Sequence, residues 1–230
     1  MDRTTLHQNV QQVLERIARA AARAGREPED VCLVAVTKTV PEETIHLAYE
    51  LGLRDFGENR VEEALPKTTR LPGDIRWHCI GHVQRRKARA TVEFAHLVHS
   101  VDSLRLAERL QRFCEEMDRD LPILLEVNVS GEEAKYGFAP DQVAEAVPAI
   151  LACDRLRIQG LMTMAPVVAD PQEARLYFRA LRDLRDRLAR RYPGVGWQHL
   201  SMGMSGDFEV AVEEGATLVR IGQAIFGPRG

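Results

Sequence analysis

Hydrophobic positions along the chain fall into two alternating patterns. In the first segment apolar residues recur at a spacing of three and four, which predicts a helix. These residues are Leu6, Val10, Val13, Leu14, Ile17 and Ala21, and Gly25 is a suitable end. Residues 31–36 are then continuously apolar, as expected for a strand that is buried on both faces of a parallel sheet. Pro41, followed by Glu42 and Glu43, suits the first turn of the next helix.

Seven further apolar runs predict strands, so we expect eight in all. They lie near Leu53–Phe56, Ile75–Ile80, Leu97–Val101, Ile123–Val129, Ile158–Met162, Gly196–Leu200 and Thr217–Ile221. Amphipathic stretches lie between them, for example at 106–117, 143–151 and 177–188. Strands that alternate with helices indicate βαβ units and a parallel sheet.

Eight βα units in 230 residues favour a closed (β/α)₈ TIM barrel, whose usual size is roughly 250 residues. A doubly wound open sheet is the alternative, and the strand count favours the barrel. The chain finishes soon after the eighth strand, which leaves an outer position for the first helix. We therefore expect an α/β protein: a (β/α)₈ barrel with an additional N-terminal helix, forming a single domain over residues 1–230.

Composition narrows the class of protein. The chain has 31 Lys and Arg against 34 Asp and Glu, a net charge of −3, and this balance argues against nucleic acid as a partner. No segment resembles a membrane span or a secretion signal. The four cysteines, Cys32, Cys79, Cys114 and Cys153, are far apart and form no CxxC pair. We expect a cytoplasmic protein with no membrane partner.

Lys38 is the first candidate for chemistry. It follows the apolar run 31–36, and the carboxyl ends of barrel strands are where barrel active sites form. Desolvation there would lower the pKa of the amine and make it a nucleophile toward carbonyl groups. A surface lysine just beyond a strand end is an equally good interpretation of the pattern alone.

The segments 200–207 and 219–227 would form the loops after the seventh and eighth strands, a pair that commonly binds phosphate in barrels. Small residues let an anion approach the backbone, and hydroxyl groups add donors. The small residues of these loops are Ser201, Gly203, Ser205 and Gly222. Arg220, at the end of the eighth strand, could face a ring nitrogen or the phosphate. An amine, an anion site and a partner for a pyridine nitrogen are the three groups that pyridoxal 5′-phosphate (PLP) needs.

Several runs then resemble one known family. They are Ala35–Lys38, Phe56–Asn59, Trp77–Gln84, Gly160–Met162, Leu200–Ser205 and Arg220–Gly222. Together they resemble the pyridoxal phosphate homeostasis proteins over about residues 33–227. The resemblance implies a barrel similar to the N-terminal domain of bacterial alanine racemases, with PLP held as a Schiff base on Lys38.

The resemblance also implies the other cofactor contacts. Phosphate contacts would fall on residues 201–205, Gly222 and Gln223, with Arg220 at the pyridine nitrogen and Asn59 and Met162 along the pocket. Gln223 stands where the family usually has Thr, so its backbone N–H is the better candidate donor. The segment 83–87 also departs from the family pattern and adds positive charge through Arg85, Arg86 and Lys87, whose role the sequence leaves open.

The expected function is PLP binding and homeostasis without turnover, in which the protein buffers PLP or delivers it to PLP-dependent apo-enzymes. We expect no second domain of the kind that completes a racemase, and an arginine at the pyridine nitrogen would weaken the ring as an electron sink. The alternatives are a PLP-dependent amino-acid racemase and a lysine Schiff-base aldolase. We expect a monomer and no metal site, since the histidines lack ligand spacing. Lys135 is interpreted as a loop lysine, with a transient anion contact as the alternative.

Overall fold

Eight parallel strands form a closed barrel in this computed structural model, which describes residues 1–228. The last two residues of the predicted domain, 229–230, lie outside the described residues. The strands are β1 Cys32–Val36, β2 Asp55–Glu58, β3 Arg76–Cys79, β4 Leu97–Val101, β5 Leu121–Glu126, β6 Leu156–Met162, β7 His199–Ser201 and β8 Leu218–Ile221. They pair in sequence order, and β8 pairs back onto β1. The predicted (β/α)₈ barrel is confirmed.

Helices cover the outside of the barrel. Over residues 1–228 they are α1 Arg3–Arg23, α2 Glu42–Glu50, α3 Val61–Arg70, α4 Ala88–Phe94, α5 Leu104–Glu116, α6 Val143–Leu151, α7 Arg175–Arg191, α8 Phe208–Glu213 and α9 Gln223–Phe226. The side chain of Asp2 caps α1 by accepting from the N–H of Thr5 at 2.9 Å. Helix α1 packs against α8 and α9, and the Asn9 side chain donates to the carbonyl of Ile225 at 2.9 Å. The additional N-terminal helix therefore occupies the outer position predicted for it.

Two strands are displaced from their predicted positions toward the barrel mouth. Strand β2 is Asp55–Glu58 rather than 53–56, and β7 is His199–Ser201 rather than 196–200. In β2, Phe56 pairs with Ala35 and Gly57 with Val36. Hydrophobicity marks the apolar start of such a strand, whereas its polar end is held by pairing with the neighbouring strand.

Apolar packing is divided between the two sides of the sheet. A large cluster fills the layer between the strands and the helices. A much smaller cluster lies inside the barrel and consists of Val34, Leu97, Leu124, Met162 and Leu218. Gly160 lets β6 and β7 approach closely: its φ is 151°, and a Cβ there would lie 1.9 Å from the carbonyl oxygen of His199.

Because the strands are parallel, their carboxyl ends share one mouth. Closure of the barrel pairs Val34 of β1 with Arg220 of β8, so the first and last strands meet beside that mouth. Within residues 1–228, none of the helices has the length and apolar character needed to cross a membrane. All four cysteines are free thiols.

Candidate functional site

A cavity of about 400 Å³ opens at the barrel mouth. Six of the nine predicted site residues line it: Lys38, Asn59, Ser205, Arg220, Gly222 and Gln223. They come from the ends of β1, β2 and β8 and from the loop after β7. The fold thus brings the lysine, the arginine and both glycine-containing loops to one volume.

Lys38 reaches this cavity from a short loop with an unusual backbone. The next residue, Thr39, has φ 62°, a left-handed conformation that β-branched residues rarely adopt. Its N–H donates to Glu63 Oε2 at 3.1 Å, which ties the loop to α3. Such conformations persist where surrounding contacts fix them, and they concentrate at functional sites.

A buried ion pair lies directly outside the end of β1. Lys67 Nζ contacts Glu58 Oε1 at 2.6 Å and donates to the carbonyl of Thr37 at 2.8 Å. Thr37 Oγ1 donates to the same Glu58 oxygen at 2.6 Å. Burial raises the pKa of Glu58, although Lys67 and Thr37 act to lower it. These bonds fix the backbone that precedes Lys38.

The loops after β7 and β8 are joined to one another. The N–H of Arg220 donates to the carbonyl of Gly203 at 3.0 Å, and the N–H of Ala224 donates to Ser205 Oγ at 3.4 Å. Gly203 has φ 91°, and a Cβ there would lie 2.6 Å from that of Ala211. Only glycine allows this loop to fold so tightly against α8. The loops together bring small residues, Ser205, Gly206 and Gly222, to the cavity beside Met204, Asp207 and Gln223.

Arg220 extends from the barrel interior to the cavity and is 4% exposed. Its Nη1 donates to Ser201 Oγ at 2.6 Å and its Nη2 to the carbonyl of Thr163 at 2.9 Å. Burial lowers the pKa of the guanidinium to about 10, while the charges of Glu126 and Asp207 raise it. Arg220 is consequently a cation at neutral pH, held in one orientation.

Three predicted site residues do not line this cavity. Ser201 and Gly203 are buried behind it, next to Arg220 and α8 respectively. Met162 is 1% exposed and belongs to the apolar cluster inside the barrel, whereas Met164, two residues further, does line the cavity. Direct contact between Met162 and a ligand stays a prediction.

Sequence reasoning missed one side of the cavity and one buried acid. The loop after β6 supplies Met164 and an apolar lip between Pro166 and Pro171, in which Val167 is 98% exposed. Glu126, at the end of β5, is buried with Oε2 unpartnered in the structure. Burial and the charge of Asp102 raise its pKa to about 7, against the effect of Arg220. A carboxylate that closes an apolar strand at the mouth was the available signal.

The basic segment Arg85–Lys87 lies apart from Lys38. Arg86 and Lys87 line a second open cavity, which shares only Asn59 with the first. Lys87 is paired with Glu62, and Arg86 donates to Gln84 Oε1 at 2.9 Å. The positive charge of this rim is thus partly neutralised.

Lys135 lies in the loop after β5, where its Nζ contacts Glu132 Oε1 at 2.6 Å. The next residue, Tyr136, stacks on His82 with ring centroids 3.6 Å apart, and His82 contacts Asp102 at 2.9 Å.

Within residues 1–228, His, Cys, Asp and Glu side chains form no group of three or more arranged to hold a metal ion.

The donor set at the mouth suits PLP. The cavity carries an amine at Lys38, the Ser205 hydroxyl and the backbone of small residues for an anion, and a fixed guanidinium at Arg220. Its volume lies within the roughly 300–1,000 Å³ that is usual for small-molecule sites. The tight turn at Gly203, where a Cβ would collide with α8, shapes the loop that supplies Met204, Ser205, Gly206 and Asp207 to the cavity.

Comparison with known proteins agrees with this geometry. Residues 8–230 match the family model described as the alanine racemase N-terminal domain. The pyridoxal phosphate homeostasis protein of Aquifex aeolicus is 44% identical over 96% of this chain and 97% of its own length. PipY of Synechococcus elongatus, solved with PLP bound, is 38% identical over 92% of this chain and all of its own, with a TM-score of 0.81. Alanine racemase of Bartonella henselae has a TM-score of 0.71 at 16% identity, over 99% of this chain and 60% of its own; this likeness concerns the fold alone.

Fold and mouth together define a barrel of the alanine racemase N-terminal type, with a lysine at the end of the first strand and an arginine in the last. Within that class, the chain belongs to the pyridoxal phosphate homeostasis protein family.

Proposed function

We propose that this chain binds PLP in the mouth cavity and holds it as a Schiff base on Lys38, as a PLP homeostasis protein. The observation that carries the proposal is the convergence of Lys38, Arg220 and the two C-terminal loops on one cavity of about 400 Å³. PipY, 38% identical to this chain, was solved with PLP bound, which supports the same ligand here.

Each group has a distinct role in the proposed complex. The Lys38 amine attacks the aldehyde carbon, a C=N bond forms, and the aldehyde oxygen leaves as water. The Ser205 hydroxyl and the backbone N–H groups at Gly222 and Gln223 hold the phosphate. Ser201 and Gly203 act from behind, because one anchors Arg220 and the other sets the course of the loop. Asn59 and Met162 complete the predicted set, Asn59 from the cavity wall and Met162 from the packing beneath.

Arg220 is the reason to propose a carrier rather than an enzyme. Its pKa of about 10 keeps it cationic at neutral pH. A cation facing the pyridine nitrogen disfavours protonation of that nitrogen, so the ring withdraws electrons less strongly. We propose that the protein stores PLP and delivers it to PLP-dependent apo-enzymes without turnover of its own.

The proposed setting is the cytoplasm, with the chain acting as a monomer and a single domain over residues 1–230. Four free thiols suit a reducing compartment. Sedimentation of the PLP-loaded protein at several concentrations tests the monomer, and a concentration-dependent rise in mass would contradict it.

Substitution of Lys38 tests the site. Loaded wild-type protein should show a Schiff-base absorbance that borohydride fixes, with the reduced adduct located on Lys38 by peptide mass spectrometry. Lys38→Ala should abolish the band and the adduct. Lys87→Ala is the matched control, since Lys87 lines the second cavity and should leave both unchanged. An unchanged spectrum in Lys38→Ala would refute the assignment.

The rival function is amino-acid racemisation, supported only by the distant likeness to alanine racemases. Exchange of the Cα hydrogen for solvent deuterium, measured over a panel of amino acids, separates the two functions. We expect exchange at the rate of free PLP. Faster exchange that depends on Lys38 would make the protein an enzyme.

A further inference from the structure

Five buried polar side chains form one hydrogen-bond chain through the barrel interior. Asp55 Oδ1 lies 3.0 Å from His78 Nε2, and His78 Nδ1 lies 2.8 Å from His99 Nε2. His99 Nδ1 lies 2.8 Å from Ser201 Oγ, which accepts from Arg220 Nη1 at 2.6 Å. All five residues are at most 9% exposed. We call them the interior chain; it connects the mouth cavity to the opposite end of the barrel.

The direction of these hydrogen bonds follows from Asp55, whose ionised carboxylate can only accept. His78 therefore donates from Nε2 to Asp55, and in a neutral His78 ring Nδ1 accepts from His99 Nε2. Neutral His99 then accepts at Nδ1 from the Ser201 hydroxyl, whose oxygen accepts from Arg220. The reverse order in neutral rings would turn a lone pair of His78 toward the Asp55 carboxylate.

Charges at the two ends keep the interior chain in this order. Asp55 is buried, which raises its pKa, but hydrogen bonds from His78 and Arg76 lower the pKa below its ordinary value. Arg76 binds both Asp55 oxygens, at 2.7 and 2.5 Å, and is itself half-exposed. An ionised carboxylate thus ends the chain on the side away from the cavity.

His99, at the centre of the interior chain, is held neutral. Burial, followed by the charges of His78, Arg220 and His199, keeps the pKa of His99 well below its ordinary value. His96 also faces the pair, with its ring centroid 6.3 Å from that of His78. At the mouth, the charges of Glu126 and Asp207 act to raise the pKa of Arg220.

One added proton would reverse the order. With protons on both nitrogens of His78, His99 Nε2 must accept and His99 Nδ1 must donate to Ser201. Ser201 Oγ would then accept from both His99 and Arg220, and its hydroxyl proton would turn elsewhere. The protonation state of His78 is in this way transmitted to the group that holds Arg220.

We propose that His78 and His99 are positioning residues, which fix the Arg220 guanidinium through Ser201 as a hydrogen-bond donor toward the ring of bound PLP. The inference rests on the proposed function only for the identity of the ligand. The order of the chain is a property of the protein without PLP, so the two can fail separately.

The first test uses the protein without PLP. Nitrogen-15 NMR of the imidazole rings at neutral pH should show His99 and His78 each protonated on Nε2. A proton on His99 Nδ1 at neutral pH would overturn the order of the chain even if PLP binds as proposed.

The second test uses loaded protein. His99→Phe keeps a ring but removes both hydrogen bonds, and we expect the Schiff-base band and its pH profile to shift. The dissociation constant for PLP should rise about tenfold, the effect of one charge-assisted hydrogen bond. His99→Gln should restore part of the spectrum. His46→Gln, on the exposed side of α2, is the control outside the chain and should match wild type.

An unchanged band, pH profile and affinity in folded His99→Phe would overturn the positioning role. If that variant fails to fold, His78→Gln and the NMR measurement on wild-type protein decide the question. A wild-type protein with no Schiff-base band would refute the proposed function instead, and the NMR result would still stand for the interior chain.

Discussion

The two sides of the barrel sheet are packed by different chemistry. Outside the sheet, apolar side chains fill nearly all of the layer beneath the helices, and the Glu58–Lys67 pair is an exception. Inside, a small apolar cluster shares the volume with the interior chain and with Glu126. Apolar packing tolerates exchange among similar side chains, whereas a buried polar network requires each member. The outer layer therefore secures the fold, and the inside sets the properties of the mouth.

The largest effect is expected in the outer layer. Phe178 of α7 is fully buried, and Phe178→Ala should lower the free energy of unfolding by about 3–5 kcal/mol through lost packing and the cavity left behind. Leu176 of the same helix is 60% exposed, so Leu176→Ala should change the free energy of unfolding by less than about 0.5 kcal/mol. Denaturant titration measures both. If the folded, PLP-loaded Phe178→Ala variant shows a shifted Schiff-base band, the outer layer also affects the mouth, and the proposed division between the two sides of the sheet is wrong.

Lys67→Met tests the ionic exception in that layer. It leaves Glu58 buried without its partner, and we expect a loss of about 3 kcal/mol in chemical unfolding. The double variant Glu58→Leu/Lys67→Met should recover most of the loss, because no charge is then stranded. A double variant as unstable as the single one would mean that the pair itself is required for the end of β1.

Glu126→Gln tests the inside of the barrel. Because the pKa of folded Glu126 is about 7 and its ordinary value is 4.5, the native protein holds this proton more tightly than the unfolded chain does. The contribution of protonated Glu126 to the free energy of unfolding is fully present below pH 4.5 and is lost as pH rises through 7. Ionisation should cost wild type about 3 kcal/mol by pH 8, and Glu126→Gln should remove this slope. Glu133→Gln, in the exposed loop after β5, is the control; an equal change in slope there would contradict the assignment.

The smallest effect is expected at a helix end. Ser103 caps α5 by accepting from the N–H of Leu106 at 3.3 Å. Ser103→Ala should lower the free energy of unfolding by about 1 kcal/mol, and Ser103→Thr should retain most of the stabilisation that the cap provides. Equal losses in both variants would show that the hydroxyl does not act as a cap.

The outer layer is also the part of the molecule that the sequence predicts well. Helices α1, α5 and α7 follow from apolar residues at helical spacing, and the eight strands follow from short apolar runs. Both signals report burial in the layer between the sheet and the helices. The observed bounds of β2 and β7 differ from the predicted ones because strand pairing, rather than hydrophobicity, sets the polar ends of these strands.

Only part of the candidate site could be predicted from the sequence. Lys38, Arg220 and the glycines of the last two loops could be found, since they follow strand ends at the mouth. The histidines lack metal-ligand spacing, and the sequence does not indicate that His78 and His99 interact. Their hydrogen bond joins side chains of different strands, and no local pattern reports it. The loop after β6 was missed because its apolar residues line a cavity that exists only once the barrel is closed.

Closure of the barrel through β1 and β8 has a consequence for biosynthesis. Lys38 follows the first strand and Arg220 lies in the last, so the mouth is incomplete until the whole barrel, from β1 to β8, has left the ribosome. Nascent and truncated chains would present the lysine without the arginine or the phosphate loops. In the proposed complex, capture of PLP would require a completed barrel, and partial products would not withdraw the cofactor from the cell.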